Sequence, residues 1–157
     1  MSKLYRVNFK QNIPSTIDKV WDFISSPHNL KLITPPHMGF KIISEMDSEK
    51  MYPGQIIAYK VSPVAGVKLT WVTEITHVKE HEYFVDEQRF GPYTLWHHKH
   101  FIKPIKNGAE MTDIVDYKIP FGFIGDIANS VFIRKQLQTI FDYRFKKVIE
   151  IFGKYEG

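Results

Sequence analysis

The chain has 157 residues, 43% of them hydrophobic and 24% charged, with a formal net charge of +4. That length suggests one domain spanning 1–157, of a size that buries roughly 70% of its unfolded surface. The absence of cysteine excludes a disulfide framework and a thiol nucleophile. Lys103, Lys106, Lys146 and Lys147 form small separated basic spots rather than the stripe that a nucleic-acid face requires, so no nucleic-acid partner is expected.

No segment approaches the roughly 18 apolar residues of a membrane span. Met1-Ser2-Lys3-Leu4 runs straight into an alternating pattern, without the apolar run of a signal peptide. A cytoplasmic location fits these features, as either a monomer or a homodimer. Aromatic residues make up 15% of the chain, a share that suits a large core or an aromatic-lined cavity.

The first strand pattern sets Tyr5, Val7, Phe9 and Gln11 against Leu4, Arg6, Asn8 and Lys10, and Pro14-Ser15 ends it. Ser15 is the expected cap of a helix carrying Ile17, Val20, Trp21 and Ile24 at helical spacing. Ser26-Pro27 opens a second short helix through Leu32, and Thr34-Pro35-Pro36 stops it. Strand patterns then follow near residues 40–44, 55–61, 67–78, 82–89, 93–103 and 110–119. Their links are short and no long helix separates them, which implies an antiparallel meander. From Asp126 to Phe152 there is neither proline nor glycine. Ile127, Val131, Arg134, Leu137, Phe141, Phe145, Val148 and Phe152 recur at threes and fours. Asp126 is the expected N-cap of this helix, about 40 Å long, and Gly153 the residue beyond its end.

The densest chemistry lies in Trp96-His97-His98-Lys99-His100. Alternate side chains of a strand share a face, so Trp96, His98 and His100 point one way, His97 and Lys99 the other. The following strand carries Met111, Asp113, Val115, Tyr117 and Ile119 on one face, apolar or aromatic except for Asp113. A hairpin that sets residue 102 opposite 111 sets His100 opposite Asp113 and His98 opposite Val115. The histidine-aspartate pair can orient a ligand, move a proton, or simply satisfy two polar groups. Asp116, on the other face by parity, is expected to be solvated. Two histidines and an aspartate are also donors suited to zinc or iron. No recognised metal motif accompanies them, so neither a metal nor a cofactor is expected. Gly-x-Ser-x-Gly, His-Glu-x-x-His and phosphate-loop motifs are absent.

Ile119-Pro120-Phe121-Gly122-Phe123-Ile124-Gly125 reads either as an anchor seating the last helix or as a lid at a pocket mouth. Residues 34–38 and 63–66 are the candidate opposite rim. Arg144, among apolar neighbours, either bridges to a buried carboxylate or extends outward.

Taken together, several motifs resemble one family across nearly the whole chain. They are Val20-Trp21-Asp22-Phe23, Pro27-x-Asn29-Leu30, Thr34-Pro35-Pro36, Gly91-Pro92 and Trp96-x-His98-x-His100. Asp113-x-Val115-x-Tyr117-x-x-Pro120-Phe121-Gly122 and Ile140-Phe141-x-Tyr143-Arg144 complete the set. The chain resembles the START/Bet v 1-like (SRPBCC, polyketide cyclase/dehydrase-like) superfamily. More narrowly it is similar to a bacterial ligand-binding group sometimes labelled cell-division-inhibitor-like. The resemblance implies an α+β helix-grip fold, a curved antiparallel sheet of six to seven strands wrapped around a long C-terminal helix. It also implies a cavity between sheet and helix that holds a hydrophobic or amphipathic small molecule without covalent chemistry. Trp96, Met111, Val115, Tyr117, Phe121, Ile133, Leu137 and Phe141 are the expected lining, with His98, His100 and Asp113 as its polar contacts. Some relatives are cyclases, so the alternative is a cyclase, dehydratase or isomerase. His100 and Asp113 would then move a proton and His98 would stabilise developing charge.

Overall fold

The computed structural model describes residues 3–64 and 66–157, with the backbone alone at 63, 64, 123, 125, 129 and 130. Apolar alternation builds seven strands: β1 (Leu4–Ile13), β2 (Lys41–Ile42), β3 (Gln55–Val64), β4 (Val67–Lys79), β5 (Tyr83–Phe90), β6 (Leu95–Ile105) and β7 (Gly108–Lys118). They form one antiparallel sheet in the order β1-β7-β6-β5-β4-β3-β2. The first strand crosses to pair with the last, and everything between is a meander. In the β6–β7 hairpin Ile102 faces Met111, His100 faces Asp113 and His98 faces Val115, the register expected from the sequence. The expected strand at 40–44 shrinks to two residues.

Helix α1 (Ile17–Ile24) buries Val20, Trp21 and Ile24. Thr16, not Ser15, caps it, its hydroxyl accepting from the Lys19 amide at 3.4 Å. The second short helix is a 3₁₀ segment over Pro27–Lys31, followed by another at Pro36–Met38.

The C-terminal rod starts earlier than expected. It comprises α2 (Gly122–Ala128), a π turn (Asn129–Ile133) and α3 (Arg134–Phe152). Asp126 lies inside α2 rather than at its cap, and its carboxylate accepts the Tyr5 hydroxyl at 2.8 Å. A π turn holds more residues than an α turn and so rotates the apolar stripe. Leu137, Phe141 and Val148 beyond it are buried, whereas Ile127 and Val131 before or within it are exposed. Gly153 ends the helix at φ 94°, its amide donating to the Ile149 carbonyl.

The helix seats on the sheet and on α1 through aromatic contacts. Phe141 stacks on Phe9 with centroids 3.8 Å apart, and Phe152 meets Phe23 edge-on at 5.5 Å. One end of the interior is filled by Ile13, Trp21, Ile57, Ile75, Phe84, Met111 and Val148. The other end holds Phe9, Val115, Tyr117, Ile119 and Leu137. At Gly108 an added Cβ would lie 2.1 Å from the Ile13 carbonyl oxygen, so only glycine allows β1 to close on the hairpin. On the opposite sheet face Asp116 is buried, not solvated, because Arg6 of β1 and Lys99 of β6 flank it with ion pairs of 2.5 and 3.0 Å. Among the described residues no helix is long and apolar enough to cross a membrane.

Candidate functional site

Between the two packed ends lies a cavity of about 140 Å³. Its walls come from β3, β4, β5, β6 and α3, closed by residues of the two 3₁₀ segments and their surroundings. Most of the lining is apolar or aromatic, including Leu30, Met38, Ile57, Val61, Phe84, Leu137, Ile140 and Phe141. Trp71, Tyr93 and Trp96 form one aromatic corner, with Trp71 edge-on to Trp96 at 5.2 Å. Burial holds the Tyr59 and Tyr93 hydroxyls well above the ordinary tyrosine range, so both are neutral.

A polar cluster interrupts this surface. Strand parity turns Asp86 of β5 and His98 and His100 of β6 into the cavity, and Asp113 of β7 lies behind them, 1% exposed. Asp113 Oδ1 is 2.8 Å from His98 Nε2 and 2.9 Å from His100 Nδ1. The second nitrogen of each ring faces Asp86 Oδ2, at 2.7 Å for His100 Nε2 and 3.6 Å for His98 Nδ1. Each imidazole therefore spans two carboxylates. The rings lie 3.7 Å apart, and His100 also stacks on Phe84 at 4.0 Å. Arg144 reaches in from α3, its Nη1 3.7 Å from Asp113 Oδ1 and its guanidinium over the Phe141 ring.

The two histidines differ in their electrostatics. Burial and the neighbouring His100 push His98 down, against the pull of Asp113 and Asp86. Burial also works against charge on His100, but its hydrogen bonds to Asp113 and Asp86 outweigh it and hold its pKa up. Burial opposes the charge on Asp113 too, yet the two imidazoles hold its carboxyl far below the usual range. Asp86 is likewise lowered: burial raises it, while His100, His98 and Arg144 together win. Two buried donors at the cavity wall, Arg144 Nε and Trp71 Nε1, have no hydrogen-bond partner among the described residues.

Of the residues expected to line the cavity, Trp96, His98, His100, Leu137 and Phe141 do so. Asp113 acts from behind the two rings. Met111 packs at one end of the interior with Ile13 and Ile102, and Val115 and Tyr117 pack at the other with Phe9. These three share the inward face, but neighbouring side chains cover them, so none reaches the cavity. Ile133 packs at that second end, and Phe121 is 81% exposed, outside the cavity. Thr34 and Met38 of the expected rim line the cavity, and His37 and Gly66 line a surface depression that meets it at Gln136. Ala65, and the side chains of Pro63, Val64 and Phe123, lie outside the described residues.

Asp86 was missing from the sequence reading. Tyr83, Phe84 and Val85 are apolar in succession, and Phe84 and Val85 are both buried although adjacent, on opposite faces of the sheet. Alternation in β5 is therefore blurred, and Asp86 carries no clear facing signal. Only the pairing of Asp86 with His98 across β5–β6 brings it to the site.

No family model matches this chain, and no curated protein matches it. Solved structures do. Protein CV1439 from Chromobacterium violaceum superposes with a TM-score of 0.71 at 12% identity, covering 96% of this chain and 98% of that one. Major latex-like protein 151 from Panax ginseng gives 0.68 at 14% identity over 95% and 97% of the two chains. Ara h 8.0201 gives 0.59 at 12% identity over 94% and 99%. The chain has a Bet v 1/SRPBCC-like fold. Identities this low speak to architecture alone. Within the Bet v 1-like frame the cavity sits between the curved sheet and α3, and the Asp-His cluster is set into its sheet wall.

Proposed function

We propose that residues 1–157 act as one START/Bet v 1-like ligand-binding domain that binds or carries a hydrophobic or amphipathic small molecule. The observation that carries this reading is the cavity itself, apolar over most of its wall with its polar groups gathered at one patch. That composition is typical of small-molecule sites, where apolar walls supply affinity and a few polar groups fix orientation. A dry cavity of roughly 150 Å³ takes a benzene ring, so a ligand of at least one ring fits here. Arg144 Nε and Trp71 Nε1 offer unpaired donors to an oxygen on such a ligand. Gln136 lines both the cavity and the outer depression.

Native mass spectrometry of freshly purified protein, with calorimetric titration of decanoate and 2-naphthol, tests this. Binding of one ligand per chain, abolished by Ile140→Trp and by Val61→Phe in folded variants, is the expected result. Failure of every ligand to bind, or binding indifferent to both substitutions, overturns it.

The paired imidazoles favour a second reading, proton transfer in a cyclase, dehydratase or isomerase. Both rings reach the cavity wall and both are hydrogen-bonded to Asp113. In that case His100→Asn and Asp113→Asn abolish turnover while binding persists.

A further inference from the structure

We propose that His98, His100 and Asp86 form a binding site for a divalent transition-metal ion of the zinc or ferrous-iron type, with Asp113 as its positioning residue. Sequence spacing offered only two histidines and a carboxylate on the neighbouring strand. The fold adds Asp86 and places one donor atom from each of Asp86, His98 and His100 within 4.8 Å of the others.

The argument is a count of donors and acceptors. Asp113 Oδ1 accepts from His98 Nε2 and His100 Nδ1 at 2.8 and 2.9 Å. In the structure His100 Nε2 also contacts Asp86 Oδ2 at hydrogen-bond distance and carries the proton between them; once a metal displaces that proton, His98 Nδ1 and His100 Nε2 both present lone pairs. Both face Asp86 Oδ2, at 3.6 and 2.7 Å. With that proton displaced, three donor atoms converge on one point, and a metal ion can take the proton's place. A proton on His100 Nε2 satisfies only part of this grouping, since 3.6 Å leaves His98 Nδ1 beyond hydrogen-bond reach of that oxygen. A metal ion satisfies all three. Donors about 2.0–2.1 Å from one ion stand roughly 3–3.5 Å apart, and the observed pair of distances brackets that spacing.

The surroundings fit as well. A carboxylate that takes the far N–H of a ligating histidine fixes its tautomer and orientation, and Asp113 does this for both rings at once. With neutral imidazoles, Asp86 and Asp113 against Arg144 leave one negative charge in the cluster. Two nitrogens and one carboxylate oxygen suit zinc or ferrous iron better than calcium or magnesium. All three ligands line the cavity, so further coordination positions open toward it. The site stands whether or not the cavity carries a hydrophobic ligand.

The test is calorimetric titration of chelator-stripped protein with ZnCl₂, and the visible absorption of the cobalt(II) form. One equivalent of metal is expected to bind. Asp86→Asn, His98→Gln and His100→Gln should each weaken it by roughly 100-fold, and Asp113→Asn by roughly 10–100-fold. His97→Gln should leave it unchanged. Zinc titration of ¹⁵N-histidine-labelled wild type needs no variant to fold: one ring nitrogen each of His98 and His100 should shift to a metal-bound position. Absence of stoichiometric binding, or binding that survives the His98→Gln/His100→Gln pair, overturns the site. So do histidine shifts confined to residues outside the cluster, such as His28, His37 or His97.

Discussion

Replacing Asp113 by Asn separates the charge of the buried cluster from its shape. The amide fills nearly the volume of the carboxylate, so packing is preserved and the electrostatics change. In the wild type, Asp113 is 1% exposed, accepts from His98 Nε2 and His100 Nδ1 at 2.8 and 2.9 Å, and lies 3.7 Å from Arg144 Nη1. Two hydrogen bonds to a charged group are worth roughly 1.5–3 kcal/mol each. Breaking one side of a buried ion pair costs roughly 3–5 kcal/mol, because the other charge stays behind. Both routes give about 4 kcal/mol, a large share of the roughly 5–15 kcal/mol that holds a domain together. With a urea slope of about 2 kcal/mol per molar, the unfolding midpoint should fall by about 2 M. Far-ultraviolet circular dichroism with chelator in the buffer measures this free of any metal contribution. Adding Arg144→Met removes the stranded guanidinium, so the double variant should be less destabilised than the sum of the singles. A midpoint for Asp113→Asn within about 0.5 M of wild type would refute the reasoning, because the cluster would then contribute almost nothing to stability.

Gly108→Ala drives a methyl group toward the Ile13 carbonyl oxygen, and a loss of about 1–3 kcal/mol by urea unfolding is expected. The hydrogen bond from Arg6, joined by Lys99, holds the Asp116 carboxyl below its ordinary range. Its folded value thus lies below its unfolded one, so the stabilisation is complete above the unfolded value and fades as pH falls through the folded one. Wild type and Asp116→Asn should differ near neutral pH and converge in acid; a gap that persists at about pH 2 would contradict this. Phe121 sits at φ 71° with 81% of its surface exposed. Relief of roughly 1–2 kcal/mol of left-handed strain outweighs the roughly 0.5–1 kcal/mol entropy cost of glycine, so Phe121→Gly should raise the melting midpoint.

Local periodicity carried most of this architecture. Alternation around Phe9, His98 and Met111 was enough to place three neighbouring strands, β1, β6 and β7, and the β6–β7 register. Proline and glycine marked the turns. Two kinds of information escaped it. An apolar run hides facing: Tyr83-Phe84-Val85 offers no alternation from which the side taken by Asp86 could be read. Occlusion is a property of the packed whole: Met111, Val115 and Tyr117 point inward as their parity demands, yet other side chains stand between them and the cavity. The π turn is a third case, since a regular spacing from Ile127 onward conceals a turn that changes which face looks inward.

The three tryptophans fall in different compartments. Trp71 and Trp96 look into the cavity, with the indole of Trp96 edge-on to His98 at 6.1 Å. Trp21 sits apart under α1, against Phe84 and His81. A molecule or ion in the cavity changes the surroundings of Trp71 and Trp96 directly. The chain thus carries its own optical gauge: emission from Trp71 and Trp96 follows events in the cavity, while Trp21 reports separately on the packing of α1 against Phe84 and His81.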